Sequence, residues 1–280
     1  MHYNKIIKRG FKILKEKSIA SYQLDTEIIL SNLLGVKREK FIIEDNFDLS
    51  NDQVEKFNSL ITRRSKYEPI AYIIRKKEFW KRNFFINKET LIPRPETELL
   101  VEMIIKYFKN KSPYILDIGT GSGCIILSIL DDIEKARGIG IDLSISALNV
   151  AKKNGLNSKC SNRVKFFKKS VDEFINKRFD LVVSNPPYIC KHDIKNLSND
   201  IKYFEPKVAL DGGNDGLDVI KKVIYKSRAI LKINGLLAIE IGNKQYKQVS
   251  QLLKIENFRE KHLIKDYQDN IRCIISTFIS

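Results

Sequence analysis

Three glycines placed between two apolar runs constrain this chain more than any other feature. Tyr114-Ile115-Leu116-Asp117-Ile118 is short, apolar and β-branched, as a buried strand requires. Gly119-Thr120-Gly121-Ser122-Gly123 follows it, and Cys124-Ile125-Ile126-Leu127 then opens an apolar helix. Glycine in such a turn admits positive φ and lets a ligand approach the backbone. The dinucleotide fingerprint G-x-G-x-x-G seats a pyrophosphate on the helix N-terminus. Here the third glycine comes one place early, and Cys124 stands where that fingerprint wants glycine. Asp117, just before the turn, would repel a pyrophosphate but suits a cationic ligand that carries an ammonium group. Gly138-Ile139-Gly140-Ile141-Asp142 reads as a second strand ending in an acid, placed to hold ribose hydroxyls. Together these features favour S-adenosylmethionine over NAD.

A third strand, Phe179-Asp180-Leu181-Val182-Val183-Ser184, delivers Asn185-Pro186-Pro187-Tyr188 to its carboxyl end, where open α/β sheets place their ligands. Each proline fixes its own φ, lacks an N–H and pushes the preceding residue toward an extended conformation. The carbonyls of Asn185 and Pro186 therefore resist turning into a helix and can face a pocket. An Asn amide oxygen beside a fixed carbonyl supplies two acceptors for an –NH2 group, with Tyr188 as a flat wall. The plain alternative is a proline-rich strand exit with a capping Asn. Beyond Leu91 strand and helix patterns alternate, which predicts an α/β domain on a mostly parallel sheet. Strands are expected at 114–118, 138–142, 164–168, 180–184, 235–241, 259–264 and 271–278.

Asn-Pro-Pro-Tyr after such a turn resembles methyltransferases that modify planar –NH2 nitrogens. Leu91-Ile92-Pro93-Arg94-Pro95-Glu96-Thr97-Glu98-Leu99-Leu100 narrows the resemblance to the HemK/PrmC-type release factor N5-glutamine methyltransferases. Asp25-Thr26-Glu27, Pro69-Ile70-Ala71-Tyr72-Ile73, Glu78-Phe79-Trp80, Glu205-Pro206-Lys207-Val208-Ala209-Leu210, Gly213-Asn214-Asp215-Gly216-Leu217, Glu240-Ile241-Gly242 with Gln245, and Arg272 agree with it. The chain departs at Arg75 and Lys81, where the family usually has glycine, and in Asp266–Asn270, which lacks the glycine expected before the last strand. Lys169-Ser170-Val171-Asp172-Glu173-Phe174 stands where relatives often place an aromatic against the adenine.

The resemblance implies a seven-stranded Rossmann-like class I S-adenosylmethionine-dependent methyltransferase domain at 93–280. A β-hairpin linker at 76–92 and a small α-helical substrate-recognition bundle at 1–75 would precede it. The activity implied is methyl transfer to the N5 amide nitrogen of the glutamine in a release factor Gly-Gly-Gln loop, leaving S-adenosylhomocysteine. Asn185, Pro186, Pro187 and Tyr188 would be catalytic. Asp117, Gly119, Thr120, Gly121, Ser122, Gly123, Asp142, Ser170, Val171 and Asn185 would hold the cofactor. Arg94, Glu96, Thr97 and Glu98 would line the same cavity; read without the family, they are a helix start with acids in its first turn. N5-glutamine methylation of a ribosomal protein and N6-adenine methylation of DNA are the alternatives.

The N-terminal region reads as short amphipathic helices. Ile6, Ile7, Phe11 and Leu14 share one face, and Ile28, Ile29, Leu33 and Leu34 another, ended by Gly35. Ser50 with Gln53 forms a capping box ahead of Val54, Phe57, Leu60 and Ile61, and Arg63-Arg64-Ser65-Lys66 reads as a solvated helix end. Phe79, Trp80, Phe84 and Phe85 suggest a hairpin, with an aromatic nucleic-acid platform as the rival. Lys+Arg at 50 against Asp+Glu at 34 gives a net charge of +16, which invites a nucleic-acid reading. The basic residues are scattered, however, and an acidic protein partner would profit from the same field. Four separated cysteines without C-x-x-C predict free thiols and no metal. The expected partner is a release factor, with no stable nucleic-acid complex, no membrane, a monomeric chain and a cytoplasmic location.

Overall fold

The computed structural model describes residues 2–39, 41, 48–174 and 178–279. The chain divides into two compact units, Met1–Lys76 with Ser198–Phe204, and Lys77–Leu197 with Glu205–Ser280.

The first unit is helical: α1 (Tyr3–Glu16), α2 (Tyr22–Leu34), α3 (Asn51–Ser65) and the short α4 (Ile70–Ile73). Their apolar faces meet in a core that fully buries Leu14, Ile29, Leu30, Phe57 and Ile61. Gly35 ends α2 at φ 67°, a left-handed position that costs glycine little. The Ser50–Gln53 capping box forms in both directions, at 3.2 Å and 2.9 Å.

Two expectations need correction in this unit. The inner face of α2 is wider than expected: Ile29, Leu33 and Leu34 pack on the core while Ile28 does not join it, and Asp25, Thr26 and Leu30 are buried as well. Arg64 is not part of a solvated helix end. It is buried, and its Nε donates to Asp25 Oδ2 at 2.7 Å. One change explains the other, since turning Asp25 inward supplies the carboxylate that a buried guanidinium needs.

The second unit begins with a hairpin, β1 (Lys76–Phe79) and β2 (Arg82–Phe85). Phe79 and Phe84 are buried and meet edge to face, so the aromatic nucleic-acid platform is excluded for this pair. Arg75 and Trp80 take left-handed φ of 54° and 53°. At the first departure a non-glycine residue therefore adopts a glycine-like turn. At the second the strain falls on Trp80 rather than Lys81. Asp269, at φ 65°, likewise supplies the left-handed residue before the last strand, which Asp tolerates better than most.

After the hairpin come α5 (Pro95–Phe108), β3 (Tyr114–Ile118), α6 (Cys124–Asp132), β4 (Arg137–Asp142), α7 (Ile145–Leu156), β5 (Val164–Lys168) and β6 (Phe179–Ser184). β7 (Leu231–Glu240), β8 (Phe258–Lys265) and β9 (Ile271–Phe278) complete a seven-stranded sheet in the order β5-β4-β3-β6-β7-β9-β8. β3 to β7 pair in parallel, while β9 runs antiparallel to both its neighbours. Asp117 lies opposite Gly140 on one side and Val183 on the other. Strand order reverses between β3 and β6, which opens a crevice at their carboxyl ends. β7 starts earlier than the 235–241 expected, because Leu231 already pairs with Phe179 across an irregularity in the ladder.

Candidate active site

The carboxyl ends of β3, β4 and β6 surround a cavity of about 240 Å³. Gly119, Gly121 and Gly123 all take positive φ, at 71°, 54° and 79°. A side chain at Gly119 would meet nothing within 4 Å, so the bare backbone there faces open space. At Gly123 a Cβ would press on Leu127, Ala151 and Phe166, so that glycine serves helix–sheet packing instead. The turn hangs on β4 through the N–H groups of Gly119 and Thr120, both donating to Ile141 O at 2.9 Å. Asp142 closes it: Oδ2 accepts from Gly121 N at 3.0 Å and Oδ1 from Ser144 N at 2.9 Å.

Asp117 sits beneath the turn with no solvent exposure. Its Oδ2 accepts from Thr120 Oγ1 at 2.6 Å, and Oδ1 ends without a hydrogen-bond partner. Burial raises its carboxyl to about 7, partly offset by the Thr120 hydroxyl.

Of the residues expected to hold the cofactor, Gly119, Thr120, Gly121, Ser122, Asp142, Ser170 and Val171 line the cavity. Arg94, Thr97, Asn185 and Pro187 line it too. Asp117, Gly123, Pro186 and Tyr188 are not among its walls, and neither are Glu96 and Glu98, which stand in the first turn of α5. Ser170 caps the short 3-10 turn Val171–Glu173, and both Ser170 and Val171 reach the wall.

Tyr188 does not present a free flat wall. Its hydroxyl donates to Glu240 Oε1 at 3.3 Å and accepts from Arg272 NH2 at 3.0 Å. Burial and the Glu240 carboxylate push its phenol upward, so it stays protonated. Asn185 donates through Nδ2 to Thr97 Oγ1 at 3.3 Å. The exit from β6 is braced from below: Gln245 Nε2 donates to the carbonyls of Tyr188 and Gly216, each at 3.1 Å. A Cβ at Gly216 would lie 2.5 Å from Tyr188 O, so only glycine allows this approach.

Other contributors carry no chemical signature of their own in the sequence. Glu205 accepts from Arg94 NH2 at 2.6 Å and Ile92 N at 3.2 Å, tying the segment before α5 to the loop that lines the cavity through Val208 and Ala209. Asn154 Nδ2 donates to both Phe85 O and Ser122 O at 2.9 Å, joining hairpin to glycine turn. Lys169 and Lys222 also reach the wall. Among the described residues no group of His, Cys, Asp and Glu is arranged to hold a metal ion, and no helix is long and apolar enough to cross a membrane.

Two sequence families match this chain: the PrmC N-terminal domain over residues 5–74 and the methyltransferase small domain over 95–201. The release factor glutamine methyltransferase of Buchnera aphidicola subsp. Schizaphis graminum is 42% identical, across 97% of this chain and 98% of its own. The chain belongs to the release factor glutamine methyltransferase family. Its relative from Caulobacter vibrioides is 36% identical over 94% of this chain and 91% of that one. A methyltransferase from Pyrococcus furiosus superposes with a TM-score of 0.52 at 15% identity, covering 70% of this chain and 89% of that one. That likeness concerns the fold. Family membership accounts for the pairing of an N-terminal helical unit with a methyltransferase sheet, and the cavity lies in the latter.

Proposed function

We propose that this chain transfers the methyl group of S-adenosylmethionine to the side-chain amide nitrogen of the Gly-Gly-Gln glutamine in a peptide chain release factor. The observation that carries this reading is Asn185 at the wall of a cavity that the three-glycine turn also lines, with Asp117 buried behind that turn, in a chain 42% identical to a release factor glutamine methyltransferase. The residues fit the cofactor. The spare Asp117 oxygen suits its ammonium, the open backbone at Gly119 and Gly121 its methionine portion, and the Asp142 carboxylate its ribose. Ser170 and Val171 would bound the adenine.

The bound cofactor supplies an activated sulfonium methyl, which leaves alignment as the protein's main task. An amide nitrogen is a poor nucleophile because its lone pair is delocalised into the carbonyl. Asn185 Oδ1 and the Pro186 carbonyl accept its two N–H bonds, hold the nitrogen in line and stabilise the positive charge that develops on it. Pro186 and Pro187 keep that carbonyl from turning away. Tyr188, tied back through its hydroxyl, stiffens the same segment. As the N–C bond forms and the S–C bond breaks, the amide gives up one proton to solvent. Arg94 and Thr97 border the substrate side, with Glu96 and Glu98 behind them. The helical unit recognises the release factor, and the enzyme works as a cytoplasmic monomer without stable nucleic acid.

The test is incubation with methyl-labelled cofactor and, separately, a release factor, a ribosomal protein or duplex DNA. Label should enter the release factor alone; transfer to either of the others would overturn the assignment. Asn185→Ala should cut turnover roughly a thousandfold while cofactor affinity stays within about threefold. Near-normal turnover would remove Asn185 from its role.

A further inference from the structure

We propose that Glu240 and Thr97 fix which way round the Asn185 carboxamide stands, and so make an oxygen rather than an –NH2 the group presented to the substrate. Asn185 is symmetrical in shape, and its two amide orientations differ only in where O and N lie. Thr97 sits at the third position of α5 and donates its single hydroxyl proton to Glu240 Oε2 at 2.6 Å. With that proton committed, Thr97 Oγ1 has only lone pairs to offer Asn185. The –NH2 group faces it at 3.3 Å, and Oδ1 is turned to the other side. The reverse orientation would set two oxygens against each other with no hydrogen between them.

The commitment is enforced from the far end of the chain. Arg272 can only donate, and it gives an N–H to Tyr188 OH, leaving the phenol proton for Glu240 Oε1. Every hydrogen from both sides therefore points at Glu240, which has no solvent exposure and takes one hydroxyl on each oxygen. Because Thr97 is also nearly inaccessible, at 2% exposure, water cannot easily supply a competing donor. Burial raises the Glu240 carboxyl, while the two hydroxyls and Arg272 pull it back toward the ionised form that this pattern uses. Both residues are positioning residues, since neither touches the reacting atoms.

The inference rests on the reading of Asn185 as an amide acceptor, and its test separates the two. Thr97→Val keeps the shape and removes the hydroxyl. It should lower kcat about tenfold or more with the KM for cofactor nearly unchanged, and lower the melting temperature as well, because the buried Glu240 Oε2 loses its partner. Thr97→Ser should rescue turnover. In the protein without substrate, NMR exchange of the Asn185 side-chain amide protons should become roughly tenfold faster in Thr97→Val and return in Thr97→Ser. Unchanged exchange and unchanged kcat in Thr97→Val would overturn the proposal and leave the activity intact. If the wild-type enzyme methylates no glutamine, the functional reading fails, while the exchange measurement still decides the orientation. Should Thr97→Val not fold, Glu240→Gln serves instead: an amide at 240 both donates and accepts, so the Thr97 proton loses its fixed direction and Asn185 exchange should again accelerate. Exchange at the wild-type rate in that variant would overturn the proposal.

Discussion

A buried carboxyl raised to about 7 should make cofactor binding depend on acidity, and the direction follows from the charge of the ligand. In the folded protein Asp117 rises from 3.8 to about 7 because burial penalises its ionised form. Between those values the folded chain holds a proton that the unfolded chain has lost. Through this group, stability without ligand therefore falls as pH climbs from about 4 to about 7, by at most ~1.4 kcal/mol per unit. A bound ammonium reverses the preference, since it needs the carboxylate. Cofactor affinity should strengthen up to about tenfold per unit as pH rises toward about 7, then level off. Titration calorimetry from about pH 5.5 to about pH 8.5 checks this, with Asp117→Asn giving a flat and weaker profile. A flat wild-type profile would remove Asp117 from the ammonium site. Asp142→Ala is a different case, because its carboxylate is already held by two backbone N–H groups. Its loss should loosen both the glycine turn and the ribose site, raising the cofactor Kd about tenfold or more with a smaller change in kcat. An unchanged Kd would refute the ribose assignment.

Among the elements, most boundaries could be read locally. The glycine turn, the capping box at Ser50, the left-handed Gly35 and the antiparallel final strands each arise from features within a few residues of one another. Helix α2 could not be read so simply. Its apolar count favours the face with Ile28 and Leu33, whereas a long-range partner, Arg64, draws Asp25 inward. Arg64 also donates to Glu68 O at 3.1 Å, so the pair fastens α2 to the end of α3. Removing one member should be far worse than removing both. Arg64→Ala should destabilise by about 3–5 kcal/mol, since it strands a buried carboxylate, while Asp25→Leu with Arg64→Leu should lose much less. Denaturant midpoints measure the difference; equal losses would mean that packing, not charge, explains this contact. The hairpin is similar in kind. Alternating aromatics predicted its strands, but Asn154 and Asp132, both far along the sequence, hold it.

For the whole molecule, net charge acts on encounters rather than on fold. A field from +16 should attract an acidic protein partner and weaken as the Debye length shrinks from about 10 Å at 0.1 M salt. Raising salt from about 0.05 to about 0.5 M should increase the KM for release factor several-fold while cofactor Kd holds steady. A KM indifferent to salt would leave the charge without a part in recognition. The alternation of strand and helix, the three-glycine turn and the asparagine at a strand exit were determined by sequence alone. Their causes are local: burial repeats every second residue in a strand and about every 3.6 in a helix, while glycine and proline restrict or release single dihedrals. Only the tertiary structure decided how Thr97, Asn185, Tyr188, Glu240 and Arg272 share their hydrogens, which residues wall the cavity, and that Arg64 is inside. The Thr97–Glu240 bond joins residues 143 positions apart. A buried polar group takes whatever complementary partner the packed core brings to it, and no short-range period records that choice.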